Sequence, residues 1–279
     1  MRTLRMRAAG CMAAMVLALA VSWARAGEPV TDDWKPTVIL LLGGQSNMVG
    51  QGKAAELPKE LQAGPANVRI WGKTGWTELK PAGTFGPEVG LAAELAKAWP
   101  TERIGLVKHA SGGTSLLAWA PEWKKEDAAK TGNERQGPLY VEWKKQLDAA
   151  RKTAPGAPVK AAFWMQGERD ASYQEAADAY RANFARLIAA VRRDAGDEKL
   201  PFIFGRIRSN KLRAIVRKAQ EETAKEIPAV AMVDTDDLKP VRDLHWGTEG
   251  QLELGRRFAA ACVKMTSRHD VAPAGKDQP

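Results

Sequence analysis

The chain is poor in the residues that build metal centres and disulfides. Its 279 residues include two cysteines and three histidines. No Cys-x-x-Cys or His-Glu-x-x-His spacing occurs, so a zinc site has no ligand set and no metal is expected. Phosphate-cradling loops are missing as well: Gly50-Gln51-Gly52-Lys53 runs into Ala54 and lacks the P-loop glycine spacing. No linker, repeat or low-complexity break divides the sequence, which argues for one α/β domain. Tyrosine is scarce, at three against ten tryptophans. Most of these, Trp143 and Trp164 among them, are expected in a core, since large aromatics bury well.

Long hydrophobic runs are also lacking. The apolar stretch from about Ala8 to Trp23 is short and alanine-rich for a ~20-residue membrane span. Arg2, Arg5 and Arg7 precede it and Ala24-Arg25-Ala26 follows, the pattern of a signal peptide cleaved after residue 26. The expectation is export to the periplasm or beyond, without stable membrane insertion. Cleavage would remove Cys11 and leave Cys262 as the sole thiol, so stability must come from the core. It would also remove four arginines and no acid, leaving 38 basic against 33 acidic residues, a formal charge of +5. The basic cluster from Arg206 to Arg217 is interleaved with Ile207, Leu212 and Ile215, which suits a solvated helix face. Nucleic-acid binding would need a concentrated patch and a recognisable module, and neither is present.

What the chain does have is alternation. Strand patterns lie near residues 37–42, 104–108, 159–165, 201–206 and 229–233, and helical patterns near 87–98, 138–153, 173–194, 211–226 and 248–265. That order predicts a parallel sheet with helices on both faces. Between Gln51 and Phe85 the pattern is irregular, with one further strand-like run at Val68 to Trp71. The polar tail from about Thr266 to Pro279 is expected to be loose.

Ser46 ends the sequence Val38-Ile39-Leu40-Leu41-Leu42-Gly43-Gly44-Gln45-Ser46. Such a run suits a strand covered on both faces, and parallel sheets bind ligands beyond the carboxyl ends of their strands. By itself the segment reads as a strand and glycine turn whose serine caps the next helix. A nucleophilic serine needs a base, an orienting group for the base, and N–H donors for an oxyanion. His269 lies in the polar tail, and His109 ends a strand pattern. His245 sits in a loop that opens into the final helix, with Asp243 two residues before it and Thr248 available as a helix cap. Two more strand patterns end in groups suited to an oxyanion: His109-Ala110-Ser111-Gly112-Gly113-Thr114-Ser115, whose glycines let backbone N–H groups approach a ligand, and Trp164-Met165-Gln166-Gly167-Glu168-Arg169-Asp170, with a side-chain amide at Gln166. Glu168 and Asp170 read either as helix-capping or ion-paired acids, or as groups that hold Gln166 and the neighbouring loops in place.

Together the blocks Gly-Gln-Ser-Asn-Met, Ala-Ser-Gly-Gly-Thr-Ser-Leu, Trp-Met-Gln-Gly-Glu-Arg-Asp and Asp-Leu-His closely resemble the SGNH hydrolases. They resemble in particular the sialate O-acetylesterase-like branch, which includes the acetyl esterases of carbohydrate esterase family six. The likeness spans about Pro36 to Lys264, within a single domain of residues 27–265. It implies a three-layer α/β/α sandwich with a five-stranded parallel sheet in flavodoxin-like order, an acetylated carbohydrate as substrate, and a mechanism that requires no metal or organic cofactor. Ser46 then matches the nucleophile and one oxyanion donor, Gly113 a second donor, Gln166 a third, and His245 the base. Gln45, Asn47, Gly112, Thr114 and Glu168 are expected around them as substrate-binding or supporting residues. Trp119, Trp123 and Trp246 are expected near the site, where they would stack on a sugar ring. The branch usually places its acid three residues before the histidine, where this chain has Arg242, so Asp243 is the nearest substitute. That departure keeps a non-catalytic glycan-binding protein on the same scaffold as the alternative.

Overall fold

The computed structural model describes residues 33–210, 213–242 and 244–269. The seven residues of β1 (Val38–Gly44) are all buried. Its aliphatic side chains pack on both sides because β1 is the middle of a parallel sheet, with the long runs β4 (Ile104–Ala110) and β5 (Val159–Met165) as its neighbours. Beyond β5 lie β6 (Phe202–Gly205) and β7 (Val230–Val233), both parallel. The insertion between Gln51 and Phe85 adds β2 (Val68–Trp71) alongside β4 and folds back as the antiparallel edge strand β3 (Trp76–Glu78).

The sheet therefore has seven strands, in the order β3-β2-β4-β1-β5-β6-β7, where the resemblance implied five. The correction is confined to the insertion. Its Val68–Trp71 run was visible as a strand, but not its attachment to the main sheet. The remaining five strands keep the order β4-β1-β5-β6-β7, with the crossover at β1 that a flavodoxin-like fold requires.

Helices cover both faces. Phe163 and Trp164 are consecutive in β5 and point to opposite sides. Phe163 meets Phe258 of α6 (Thr248–His269) at 5.5 Å between ring centroids. Trp164 meets Trp143 of α3 (Leu139–Thr153) at 6.1 Å and Phe184 of α4 (Tyr180–Ala195) at 6.4 Å. On the α6 side, α2 (Glu88–Ala98) lies so close that a β-carbon on Gly90 would stand 2.3 Å from the Leu252 carbonyl oxygen. The remaining crossover helix is α5 (Ala214–Glu226). Because α6 runs to His269, the expected loose tail does not begin at Thr266, which is buried and bonded through its hydroxyl to the Cys262 carbonyl. Residues 270–279 and the predicted signal peptide lie outside the described residues.

The register of the central strands decides where chemistry can happen. Gly44 pairs with Ala110 on one side and with Met165 on the other. The three sequence blocks that follow these residues consequently leave the sheet side by side, at its carboxyl edge.

Candidate active site

The turn out of β1 is tight. Gly44 has φ +144°, and a β-carbon there would stand 2.2 Å from the Met165 carbonyl oxygen, so only glycine fits. Ser46 is the first residue of the short helix α1 (Ser46–Val49). Its Oγ lies 2.9 Å from Nε2 of His245. The fourth block thus returns across 199 positions of sequence to place its histidine beside the serine. His245 belongs to a two-stranded ribbon, Pro240–Arg242 with His245–Trp246, in which the exposed Arg242 pairs opposite His245. Asp243, the expected orienting carboxylate, lies outside the described residues.

Asn47 holds the histidine loop to the turn that carries Ser46. Fully buried, it donates through Nδ2 to the Leu244 carbonyl (3.1 Å) and to Glu168 Oε1 (3.0 Å), and its Oδ1 accepts the Trp246 N–H at 3.4 Å. Glu168 is itself buried, which pushes its carboxyl above the ordinary range. Of the two readings left open for this residue, its hydrogen bond to Asn47 is of the loop-supporting kind. The Arg169 guanidinium turns instead to the Thr131 carbonyl and stacks on the Tyr173 ring. Replacing Asn47 by alanine releases the carbonyl and the N–H that flank His245. Ester turnover is expected to fall about 100-fold, the scale of a 1 Å misplacement, and steady-state kinetics on 4-nitrophenyl acetate check this.

The second block forms the opposite wall. Ser111 N–H donates to the Gly44 carbonyl at 3.0 Å, anchoring the loop beside the Ser46 turn. Gly112 and Gly113 are exposed, Gly113 has φ +67°, and a β-carbon on Gly112 would lie 3.9 Å from Ser46 Cβ. Thr114 faces inward: its hydroxyl donates to the Ser111 carbonyl (2.7 Å) and accepts Trp119 Nε1 (3.0 Å). Gln45 is buried too, its Oε1 accepting the Arg169 N–H at 3.3 Å.

Three expectations change here. Gln166 stands at the end of β5 as foreseen, but its amide nitrogen donates to the Thr114 carbonyl (2.9 Å) and to Asp170 Oδ2, and the side chain has no exposed surface. With both hydrogens occupied it braces the second-block loop and is no direct oxyanion donor. Trp119 and Trp246 have no exposed surface either, so neither stacks on a sugar. Trp119 is enclosed edge-on by His109, Trp143 and Trp164. Trp123 is half-buried against Gly137. Thr248 does not cap α6: its hydroxyl donates to Glu56 Oε2 at 2.6 Å and accepts the Lys53 N–H at 2.9 Å, tying the insertion to the last helix. His109, at the far end of β4, bonds through Nδ1 to Gln146 Nε2 at 3.1 Å, and burial lowers its pKa.

Other side chains hold α1 and the second-block loop in place. Lys108 donates to the Val49 carbonyl at the end of α1 (3.1 Å) and to Glu88 Oε2 (2.6 Å), while Glu88 Oε1 accepts the Gly86 N–H at 3.0 Å. Asn133 and Gln136, in the loop before α3, bond to Gly113 and Gly112. Among the described residues no group of three or more His, Cys, Asp or Glu side chains is assembled to hold a metal, and no helix is long and apolar enough to cross a membrane.

The family described as carbohydrate esterase, sialic acid-specific acetylesterase, matches residues 36–264. The chain belongs to this carbohydrate esterase family. A probable carbohydrate esterase of Arabidopsis thaliana is 30% identical over 253 residues, covering 81% of this chain and 90% of that protein. The solved Arabidopsis structure superposes with a TM-score of 0.68 at 28% identity, over 82% of this chain and 98% of that one. A carbohydrate acetylesterase from Xanthomonas citri superposes with a TM-score of 0.66 at 27% identity, over 83% of this chain and 57% of that one. The structure of NanS, at 17% identity and a TM-score of 0.66, shares the fold over 84% of this chain and 99% of its own.

Beneath the esterase site lies a second buried acid. Asp170 accepts the Leu116 N–H through both oxygens (3.1 and 3.2 Å) as well as the Gln166 amide. Burial nevertheless raises its carboxyl to about 7, from an ordinary 3.8. The folded esterase therefore keeps a proton that the unfolded chain releases. This contribution to stability is complete below about pH 4 and is lost as the pH rises through about 7. Asp170→Asn is expected to flatten the fall in urea midpoint between pH 5 and pH 8; an unchanged slope would assign that fall to other groups.

Proposed function

We propose that the protein is an exported serine esterase that removes O-acetyl groups from carbohydrates. The 2.9 Å contact between Ser46 Oγ and His245 Nε2 carries this reading, since it joins a nucleophile and a base on a carbohydrate esterase fold. His245 takes the Ser46 proton as Oγ attacks the acetyl carbonyl. The tetrahedral oxyanion is bound by the N–H groups of Ser46 and Gly113. His245 then returns the proton to the departing sugar oxygen, leaving an acetyl-Ser46 ester that a water activated by His245 hydrolyses to acetate. Asp243, two residues before the base, orients the imidazole.

Acetylated plant-type polysaccharide or oligosaccharide is the favoured substrate, with O-acetyl sialic acid as the second choice. Export follows from the arginine-led apolar stretch and Ala24-Arg25-Ala26. The deciding experiment is acetate release from acetylated xylan and from O-acetyl sialic acids, with Ser46→Ala as the blank. Release above the blank supports the esterase. No release from either class, nor from 4-nitrophenyl acetate, would place a glycan-binding role first.

A further inference from the structure

We infer that Asn133 and Gln136 aim the Gly113 N–H at the carbonyl attacked by Ser46, and so act as positioning residues of the oxyanion site. The inference rests on the esterase reading proposed above and extends it to a loop outside the four sequence blocks.

A trans peptide unit is planar, so the carbonyl of one residue and the N–H of the next point in opposite directions. Whatever holds the Gly112 carbonyl therefore directs the Gly113 N–H away from itself. The holder is Gln136, whose Nε2 donates to the Gly112 carbonyl at 3.3 Å. On the other side of Gly113, Asn133 Nδ2 donates to the Gly113 carbonyl at 3.0 Å. Gly113 is thus clamped at both flanking peptide units. Between them it is a glycine at φ +67° with no atom within 4 Å of where a β-carbon would stand, a residue that nothing of its own would keep in one conformation.

The clamp is itself ordered from below. Asn133 is 1% exposed, and its Oδ1 accepts the Ser115 N–H (3.0 Å) and the Thr131 hydroxyl (3.1 Å). Those two donors fix which end of the Asn133 amide faces Gly113. Asn133 Nδ2 also donates to Gln136 Oε1, which in turn presents the Gln136 nitrogen to Gly112. The orientation passes from a buried asparagine through an exposed glutamine to the peptide nearest the nucleophile. Gln166, bonded to the Thr114 carbonyl, and Asp170, bonded to the Leu116 N–H, hold the rest of the turn.

The test uses near-isosteric variants. Asn133→Asp keeps the acceptor for Ser115 and removes the donor to Gly113; Gln136→Glu keeps the acceptor for Asn133 and removes the donor to Gly112. Losing an oxyanion donor costs about 10² to 10³ in turnover and misdirecting one costs less, so kcat on 4-nitrophenyl acetate should fall about 10- to 100-fold for Asn133→Asp and about 3- to 10-fold for Gln136→Glu. KM should stay within about twofold, because the donor acts on the transition state. Affinity for methylboronic acid, whose adduct with Ser46 carries a tetrahedral oxygen in that site, should fall by the same factors as kcat. A structural role would lower melting temperature and leave the kcat of the folded fraction and its boronate affinity intact, and that pattern overturns the inference. Should Asn133→Asp fail to fold, the surface variants Gln136→Glu and Gln136→Leu decide: wild-type kcat and boronate affinity in both sink it. An inactive wild type overturns the esterase reading and this inference with it, whereas an active wild type with unaffected variants overturns the inference alone.

Discussion

Replacing Ser46 by alanine, or His245 by alanine, is expected to lower turnover of acetyl esters by about 10⁶-fold, the scale on which a serine hydrolase depends on these two members. The Oγ–Nε2 pair acts as a unit: a nucleophile without its base stays protonated, and a base without its nucleophile has nothing to activate. The double variant should therefore be no worse than either single one. Neither substitution should unfold the protein. Both side chains are only partly buried, and the loop that carries His245 is held by Asn47 through the backbone of Leu244 and Trp246. Rates on 4-nitrophenyl acetate and acetylated xylan, with melting temperatures alongside, check this. More than about one per cent residual activity in Ser46→Ala would point to a different nucleophile. Asp243→Asn separates two versions of the mechanism, since loss of an orienting carboxylate costs about 10⁴ in a triad enzyme and little in a Ser-His dyad.

The second large effect is on stability. Lys108 and Glu88 keep only 13% and 8% of their side-chain surface exposed and pair at 2.6 Å. Removing one partner of such a pair leaves a buried charge without its counter-ion, a loss of about 3 to 5 kcal/mol. Lys108→Met keeps the apolar stem and deletes the ammonium, so the penalty falls on Glu88 and on the Val49 carbonyl. At about 2 to 4 °C per kcal/mol for a domain of this size, the melting temperature should drop by roughly 10 °C. Adding Glu88→Leu should recover much of the loss, because two apolar residues no longer strand a charge. A variant that melts within about 2 °C of wild type would show that this pair does not anchor α1.

The central strands were legible as largely apolar runs alternating with helical patterns, and Ser46 and His245 as candidate nucleophile and base because four ordered sequence blocks together resemble one family. The roles of Gln166 and Trp119 were not. An amide at a strand end looks the same whether it faces a ligand or a neighbouring loop, and in this fold the Thr114 carbonyl and Asp170 claim it. Trp119 follows the glycine block closely, but the turn Ser115–Ala118 carries it back into the aromatic core, where its ring meets Trp143 and Trp164. Asn133 and Gln136 escaped notice for a simpler reason. They act on the backbone of another loop, and such pairings exist only once the chain has folded.

The bond between positions 46 and 245 has a consequence in time. Ser46 is made 199 positions before His245, and the ribbon bearing this histidine leads directly into α6, which docks on α2 through Gly90 and Gly255. Until α6 seats, the contact between Ser46 and His245 cannot form. Esterase activity should therefore appear only once α6 has joined the sheet, so that a rate of ester cleavage doubles as a clock for that docking step.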